Sequence, residues 1–582
     1  MNDESQVQLT VRATLMGMIL GGVLSLSNLY IALKTGWSFG VSITAGILAF
    51  AIFAGLVKVG LVKKHFGLLE NNAMQSVASA AGYMTGGGTV AAIPALMMIT
   101  GEVMPGWQMF AWISSIALLG VVMAIPMKVQ MINIEGLRFP TGVAAAETLK
   151  ALHSEGGGDK ARLLGGSGLV GGLLAFFRDA HAPWMPFNLP AKINIPFLTL
   201  AGRPAADFTL SFEGSLLLAA GGAIMGFRAA WSLLLGTMIN YVWLAPALFT
   251  AGVLDAKLGY KTIVGWSVWL GASMLLTSGL LAFSFQWRSV VAAVRSVGAA
   301  FGTAVASAEV PMSWFVVGVA VFGSLVVALQ WLFFGITPWM GILAVFLSFF
   351  IALVASRVTG ETDTTPTGAL GKITQVTFGA LAPGNVTTNL MTANVSAGVA
   401  LHSADLLTDL KSGYLLGADP RQQFWAQFFG VMAGSCFVVP AYRLLIPTAD
   451  VLGSDAWPAP GAQTWKGVAV MLAQGFDTLH PTAQTALWVG GVVGIGLVLL
   501  EKALPRYKKF IPSAAALGLA FTTPAYNSIS MFLGAMVGVL LTMRNKDLAD
   551  RTVIPVSSGI IAGESLMGIL IAVLVVAGLL QS

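Results

Sequence analysis

The sequence predicts an all-α polytopic membrane protein, and three features of its composition point to this class. Of its 582 residues, 56% are hydrophobic and only 10% are charged, and the mean hydropathy is +0.81. Soluble domains carry about 25% charged residues, which excludes an ordinary soluble protein. The 68 glycines follow no period, as expected where helices pack closely or are broken inside a membrane.

Long apolar segments set the expected number of crossings, because a spanning helix needs about 20 apolar residues. Thirteen segments meet this description, approximately at 11–32, 36–57, 106–126, 161–177, 213–228, 229–250, 263–285, 312–335, 338–357, 421–447, 484–501, 525–543 and 553–580. Four further apolar segments are interrupted, at 68–101, 362–401, 462–475 and 510–523. We therefore expect about 14–16 transmembrane helices, some of them broken or re-entrant.

The basic residues predict the orientation. They concentrate in short connections near 58–65, 128–162, 288–295, 502–509 and 544–551, which the positive-inside rule places in the cytoplasm. Segments 183–212 and 448–465 are rich in proline and poor in Lys and Arg, so we expect them outside and the N-terminus inside. The net charge of +6 then reflects topology and not nucleic-acid binding. Short polar tails and small loops favour a bacterial inner-membrane protein.

Two pseudo-related halves are predicted within one membrane domain, 1–285 and 312–582, joined by a polar connecting segment, 286–311. Each half has a Pro-Thr-Gly break, at 140–142 and at 366–368, and an interrupted segment rich in Asn and Gln. Paired interruptions of this kind indicate a transporter site. The two elements occur in opposite order in the two halves, so a simple duplication does not follow.

The polar stretch at 359–409 is predicted to line a substrate path, because polar and broken backbone at membrane depth must be buried in protein or line a cavity. Segment 68–90 has the same character and ends in a glycine triplet. Its side chains fit two interpretations, ligand binding or hydrogen bonding between helices. The predicted substrate-binding residues are Asn71, Asn72, Gln75, Arg138, Thr141, Thr367, Lys372, Gln375, Asn385, Asn389 and Asn394.

Three acids are predicted to couple transport to protons: Glu564, Glu361 and Asp363. Glu564 lies inside an apolar segment with no other charge within ten residues, so it should face the interior of the bundle. The alternative interpretation is a packing acid for Glu564 and a helix-end carboxylate for the other two.

Metal, cofactor and enzyme interpretations receive little support. His402, Asp405 and Asp409 share one helical face, but a solvated face is the expectation there and no metal site is predicted. No Gly-Lys-Ser/Thr follows the glycine triplet at 86–88, so no nucleotide cofactor is expected. A weak alternative is an intramembrane serine protease, with Ser167 of a Gly-Gly-Ser-Gly stretch as nucleophile and His181 downstream. Gly and Ser at this spacing are, however, ordinary in helix packing.

Four motifs together resemble the signature stretches of the oligopeptide transporter (OPT) superfamily. They read LLENNAMQSVASAAGYMTGGG, NIEGLRFPTGVAAAETLKALH, GETDTTPTGALGKITQVTFG and SGIIAGESLMGIL, in the expected order from about residue 68 to 570. The sequence is most similar to bacterial members related to the yellow-stripe-like branch. The resemblance implies a helical carrier, proton-coupled import, and substrates that are short peptides or metal complexes of amino-acid-like chelators.

We therefore predict a proton-coupled secondary transporter that imports short oligopeptides across the inner membrane by alternating access. The alternative is an importer of metal–chelate complexes of the siderophore or nicotianamine type. Expected partners are the substrate, protons and membrane lipid. The protein could also form a homodimer, and no binding to nucleic acid is expected. Asn389, Asn394 and Glu564 are predicted to converge on one shared wet chamber.

Overall fold

The computed structural model describes residues 8–580, apart from positions 37, 39, 65, 87, 154–157, 183, 186, 256, 286–308, 363–364, 366 and 476–479. Within this part of the chain, eleven helical runs are long and apolar enough to cross a membrane. They are Val11–Thr35, Leu68–Thr100, Gly106–Ile134, Phe227–Thr250, Tyr260–Ala282, Met312–Phe334, Pro338–Gly360, Pro420–Leu445, Pro481–Ala503, Ala525–Arg544 and Lys546–Val575. The predicted all-α polytopic membrane class is confirmed.

The individual helices are numbered in chain order. The first part of the chain contains α1 (Val11–Thr35), α2 (Ser42–Lys58), α3 (Leu68–Tyr83), α4 (Ile93–Thr100), α5 (Gly106–Met123), α6 (Ile125–Lys128), α7 (Pro140–Leu152), α8 (Gly158–Asp179), α9 (Leu217–Met225), α10 (Phe227–Thr237), α11 (Ala245–Thr250) and α12 (Tyr260–Ser284). The second part contains α13 (Met312–Gly318), α14 (Ser324–Phe334), α15 (Pro338–Thr362), α16 (Thr367–Leu381), α17 (Val386–Leu416), α18 (Pro420–Leu445), α19 (Pro460–Gln474), α20 (Pro481–Ala503), α21 (Ala514–Ala520), α22 (Ala525–Arg544) and α23 (Lys546–Val576).

Short irregular elements connect these helices. Wider π-helical turns continue four of the runs, at Gly88–Ala92, Val129–Ile134, Met238–Leu244 and Val319–Gly323. Tight 3₁₀ turns lie at Ala205–Phe208, Ala449–Val451 and Pro505–Phe510. Four short strands, β1 (Lys192–Asn194), β2 (Thr199–Leu200), β3 (Arg203–Pro204) and β4 (Ser211–Glu213), form two antiparallel pairs, β1 with β4 and β2 with β3. Lys192 lies opposite Glu213 in the first pair.

The four interrupted segments are broken or short helices, as predicted. Segment 68–101 is α3 and α4, separated by the glycine-containing turn, and segment 362–401 contains α16 and the start of α17. Segments 462–475 and 510–523 contain α19 and α21, which have 15 and 7 residues and are short for a crossing.

Helix α17 runs through the centre of the molecule. It has 31 residues, so it is about 46 Å long. The Asn385 side chain caps its start by accepting a hydrogen bond from the Thr388 backbone, and Gly417 ends it at a φ of 77°. Most of its residues are buried on all sides, although it carries many polar side chains. Neighbouring helices can approach it closely because glycine faces it; a Cβ at Gly120 would lie 2.7 Å from the Val399 carbonyl oxygen.

Helices from the two sequence halves are interleaved. Helix α8 packs along α23, α12 along α20, α9 along α22, and both α1 and α3 pack against α18. The two halves thus share one core, and their pseudo-relation stays a prediction. Most of the predicted connecting segment 286–311 lies outside the described residues.

The first Pro-Thr-Gly break lies beside the end of α15, the helix that precedes the second break. The Phe139 backbone nitrogen donates to the Gly360 carbonyl oxygen at 2.9 Å, beside the end of α15. Phe139 has a positive φ of 43°, a strained conformation for a bulky residue. Glu135 pairs with Arg357 of α15 at 2.7 Å, across the same contact. The start of the first break thus contacts the end of α15, although the two are more than 200 positions apart in the sequence.

The two ends of the helix bundle differ in their polar contacts. At the end that we call the basic end, Gln422 accepts from the Gln8 backbone, Arg12 pairs with Glu70, and Lys128 pairs with Glu309. The strands and segment 448–465 meet at the opposite end, where Lys192 pairs with Asp455. The C-terminal Leu580 packs with Ala180, and so α23 also ends there. The N-terminal and C-terminal helices thus begin and end at opposite ends of the bundle.

Candidate functional site

A buried pair of aspartates forms the centre of the largest polar cluster on α17. Asp405 and Asp409 are one helical turn apart, and their exposed fractions are 4% and 1%. Gln427 of α18 donates from Nε2 to both carboxylates, at 3.2 Å to Asp405 and 2.7 Å to Asp409. Ser79 of α3 donates to the other oxygen of Asp405 at 2.7 Å. Within the described part of the chain, neither aspartate forms an ion pair.

The cluster continues toward the end of α17 through the predicted residues of α3. Ser412 donates to Asn72 Oδ1 at 2.8 Å and accepts from Gln75 Nε2 at 3.0 Å. Asn71 donates to the Gly46 carbonyl oxygen at 3.3 Å. Three polar atoms here, Asn71 Oδ1, Asn72 Nδ2 and Gln75 Oε1, are buried and lack a hydrogen-bond partner among the described residues.

A second cluster lies near the start of α17. Asn389 Nδ2 donates to the Gln375 carbonyl oxygen, and Gln375 Nε2 donates to Asn389 Oδ1 at 3.1 Å and to the Trp465 carbonyl oxygen at 3.2 Å. Lys372 lies one turn before Gln375 on α16 and is 4% exposed. Across the described residues no hydrogen bond or ion pair involves its ammonium group. The structure thus brings the predicted Gln375 and Asn389 together, with Lys372 one helical turn away on α16.

Asn394 lies between the two clusters and has a different partner. It accepts from the Trp112 indole nitrogen at 2.7 Å. The turn after α3 approaches it closely, because a Cβ at Gly88 would lie 3.4 Å from its amide nitrogen. The glycine turn is therefore packed against α17, as the packing interpretation of the glycine triplet expects.

Glu564 of α23 is buried with an arginine partner. Arg178 of α8 lies 3.0 Å from Glu564 Oε2, and the Ser215 hydroxyl and the Leu216 backbone nitrogen also donate to the carboxylate, at 2.6 and 2.7 Å. Arg178 pairs with Asp179 as well, at 2.7 Å. Glu564 faces the interior, as predicted, but it is fully hydrogen-bonded and paired.

The other predicted residues are more peripheral. Asn385 is an exposed helix cap, Arg138 is exposed, and Thr141 and Thr367 are half-buried. Glu361 lies in the last turn of α15, and Asp363 lies outside the described residues.

One expectation about the arrangement differs from the structure, and another is not tested by it. The predicted solvated face at His402, Asp405 and Asp409 is wrong, because all three side chains are buried by α3, α5 and α18 packed around α17. Among the described residues, Asn389, Asn394 and Glu564 belong to three separate hydrogen-bonded groups, and their convergence on one chamber stays a prediction. Among the described residues, no group of three His, Cys, Asp or Glu side chains is placed to hold a metal ion.

Sequence reasoning missed the functional candidates Arg178, Asp405, Asp409 and Gln427. One signal was present for the aspartates. Asp405 and Asp409 are four residues apart, and Gln423 and Gln427 on the next helix have the same spacing. Two such pairs can face each other along neighbouring helices, and Gln423 does donate to the Asp409 carbonyl oxygen at 2.8 Å.

Ser167 has a packing environment and not that of a nucleophile. Its hydroxyl donates to the Leu164 carbonyl oxygen at 3.1 Å, and a Cβ on Gly559 of α23 would collide with it. Gly168, Gly171 and Gly172 face Gly559, Ile560 and Gly563 in the same way. This is the close helix packing that small residues allow in membranes.

A family model described as "OPT oligopeptide transporter protein" matches residues 8–575. The chain belongs to this OPT family. The resemblance seen in the four motifs is confirmed over nearly the whole length, and the protein is a multi-pass membrane transporter and not an enzyme.

Relatives of this OPT transporter come from bacteria, yeast and plants. A Haemophilus influenzae protein named "Putative oligopeptide transporter" is 25% identical, over 94% of this chain and 93% of its own length. The metal-nicotianamine transporter YSL1 of Arabidopsis thaliana is 24% identical, over 98% of this chain and 92% of its own. The iron-phytosiderophore transporter YSL15 of Oryza sativa subsp. japonica is 25% identical, over 96% and 90%.

Proposed function

We propose that this OPT transporter imports short oligopeptides across the inner membrane by alternating access, driven by the proton gradient. The observation that carries the proton coupling is the buried pair Asp405 and Asp409, held by one glutamine amide. Acidic side chains inside a membrane protein are costly, and they commonly mark proton relays.

The local chemistry supports a shared proton at this pair. The partners of both carboxylates in the described structure are neutral hydroxyl and amide groups. A buried carboxylate without a cation is held at lower cost when it is protonated. Two carboxylates one turn apart also repel when both are ionised. One proton between Asp405 and Asp409 removes both costs, and its release would favour a rearrangement of α17 against α3 and α18.

From the sequence alone, Glu564 is the leading candidate for this role, together with Glu361 and Asp363. The ion pair with Arg178 distinguishes Glu564 from the two aspartates. We propose that Glu564 positions Arg178 and that the aspartate pair carries the coupling proton.

The peptide would be bound by amide side chains along α3, α16 and α17. Four predicted binding residues contain a buried polar atom without a partner in the described structure: Asn71, Asn72, Gln75 and Gln375. Each such atom costs about 1–3 kcal/mol. A peptide backbone offers both the donors and the acceptors that these atoms lack, so a ligand-bound conformation can satisfy them. Lys372 would bind a substrate carboxylate.

The alternative substrate is a metal–chelate complex, which the names of the two plant relatives favour. Chelators of that kind also carry carboxylates and amines, so the same side chains fit both ligands. Purified protein in proteoliposomes separates the two. A peptide carrier takes up labelled dialanine or trialanine without metal when the outside is acidic, whereas a chelate carrier takes up iron–nicotianamine and ignores metal-free nicotianamine. Uptake that is independent of the pH gradient would contradict proton coupling for either substrate.

A further inference from the structure

We propose that a cavity at the end of the bundle opposite the basic end is a capture site for a ligand with both a carboxylate and an ammonium group. Lys34 would bind the carboxylate and Glu213 the ammonium. The inference rests on the proposed transport function and deepens it, because it names the place where the substrate first binds.

The cavity has a volume of about 300 Å³ and is built from six separate parts of the chain. This volume is at the lower end of the range of about 300–1,000 Å³ that is typical of small-molecule sites. Its charged lining contains three cations and three carboxylates, and therefore has no net charge: Lys34, Arg178, Lys192, Asp179, Glu213 and Asp455. A neutral but highly charged cavity suits a zwitterion better than an ion of one sign.

Four of these six charges are already paired within the wall. Arg178 pairs with Asp179 at 2.7 Å, and Lys192 pairs with Asp455 at 3.2 Å. Lys192 also lies over the Tyr526 ring, 4.2 Å from its centroid. These contacts fix the wall and leave one cation and one anion to consider.

Lys34 and Glu213 are the two remaining charges. In the described structure neither side chain forms a hydrogen bond or an ion pair, although both are partly buried. The Lys34 ammonium group lies 5.3 Å from the Tyr30 ring centroid and 5.9 Å from that of Trp457. Burial raises the pKa of Glu213, and the nearby cations Lys34, Lys192 and Arg178 oppose this effect. One unpaired charge of each sign matches the two ends of a peptide or of an amino-acid chelator.

The surrounding contacts hold both groups in place. Asn527 donates to the Lys34 carbonyl oxygen at 3.1 Å, and the Tyr526 hydroxyl donates to the Asp455 carbonyl oxygen at 3.0 Å. Glu213 lies on β4, whose pairing with β1 fixes its position. Arg178 joins the cavity wall to Glu564 on α23. The cavity is thus prearranged, and its wall is connected to a helix in the interior.

Binding of three matched probes to the full-length protein in detergent tests the assignment. Dialanine has both charges, dialanine amide lacks the carboxylate, and N-acetyl-dialanine lacks the ammonium group. We expect the wild type to bind dialanine best. Lys34→Gln should weaken dialanine binding by about tenfold or more and leave dialanine amide unaffected. Glu213→Gln should do the same for dialanine and leave N-acetyl-dialanine unaffected.

Two further variants keep the experiment interpretable. Lys34→Arg retains the positive charge and should retain most of the dialanine affinity, which separates loss of charge from misfolding. Lys150→Gln removes an exposed lysine paired with Glu147 and should change nothing. Equal binding of all three probes by the wild type would overturn the proposal. The proposal would also be overturned if both Gln variants bound dialanine as tightly as the wild type does. Failure of the wild type to bind either dialanine or free nicotianamine would overturn it as well.

Uptake measurements distinguish failure of this site from failure of the proposed function. If Lys34→Gln and Glu213→Gln do not change proton-driven dialanine uptake, the capture site is contradicted and the transport proposal is not. If dialanine binding depends on Lys34 and Glu213 but the pH gradient drives no uptake, the capture site is supported and proton coupling is contradicted.

Discussion

Asp405 and Asp409 accept hydrogen bonds from the same amide nitrogen, Nε2 of Gln427. The two acids come from one helix, and the amide comes from the next helix in the chain. Any change in the number of protons on the pair changes how strongly α17 is held to α18. In the proposed mechanism, this relationship would link protonation of the pair to the packing of the central helix.

Substitution of the aspartates tests that link. With a gradient of one pH unit, a carrier coupled to one proton can accumulate its substrate about tenfold. Asp405→Asn and Asp409→Asn remove the titratable group and should abolish this accumulation, while exchange of internal for external substrate continues. Proteoliposome uptake and counterflow of labelled dialanine measure the two activities. Glu147→Gln, on an exposed i,i+3 pair, serves as the control. Wild-type accumulation in both aspartate variants would show that the proton binds elsewhere.

Glu564→Gln should act mainly on stability. Breaking a buried ion pair costs about 3–5 kcal/mol, because the remaining charge is left without its partner. Arg178 keeps Asp179, so the lower end of that range is expected. Thermal unfolding in detergent measures the loss, and uptake by the surviving protein should keep its dependence on the pH gradient. Loss of that dependence with normal thermal stability would instead support Glu564 as the coupling acid.

The contact between α8 and α23 predicts a glycine requirement. A Cβ at Gly563 would collide with the Gly168 backbone, whereas a Cβ at Gly166 would have no heavy atom within 4 Å. Gly563→Ala should therefore destabilise the protein by about 1–3 kcal/mol through overpacking. Gly166→Ala is the matched control and should leave the unfolding temperature unchanged. Equal effects of the two variants would argue that these helices do not pack in this way.

The pH dependence of ligand binding follows from Glu213. A ligand ammonium group is attracted only to the ionised carboxylate, and burial raises the pKa of this group. Lys34 on α1, Lys192 on β1 and Arg178 on α8 lower that pKa, Asp179 raises it, and burial is the largest effect. On acidification, dialanine affinity should therefore begin to fall at a higher pH than the titration of an ordinary glutamate would give. Titration calorimetry between about pH 5 and 7.5 measures this, since free Glu titrates near 4.3. Glu213→Gln should remove the dependence, and an unchanged pH profile in that variant would contradict the assignment.

The sequence by itself determined the class of protein and the positions of its interruptions. Long apolar segments can only be satisfied in lipid as helices, and glycine and polar residues break them at predictable places. This is why α3 and α4, α19 and α21 could be anticipated. The grouping of Gln375 with Asn389 was also within reach, because the two residues are only 14 positions apart.

Tertiary structure alone decided which charges are paired and which are buried. Glu564 looked isolated in the sequence, but its arginine lies 386 positions away. Asp405 and Asp409 looked solvated, because a polar helical face beside a basic loop has the same pattern whether water or another helix covers it. Their burial comes from α18, the next helix, and from α3 and α5, which reach α17 from distant parts of the chain. The local periodicity of the sequence indicates on which face of a helix a residue lies. Whether water or another helix covers that face depends on tertiary packing.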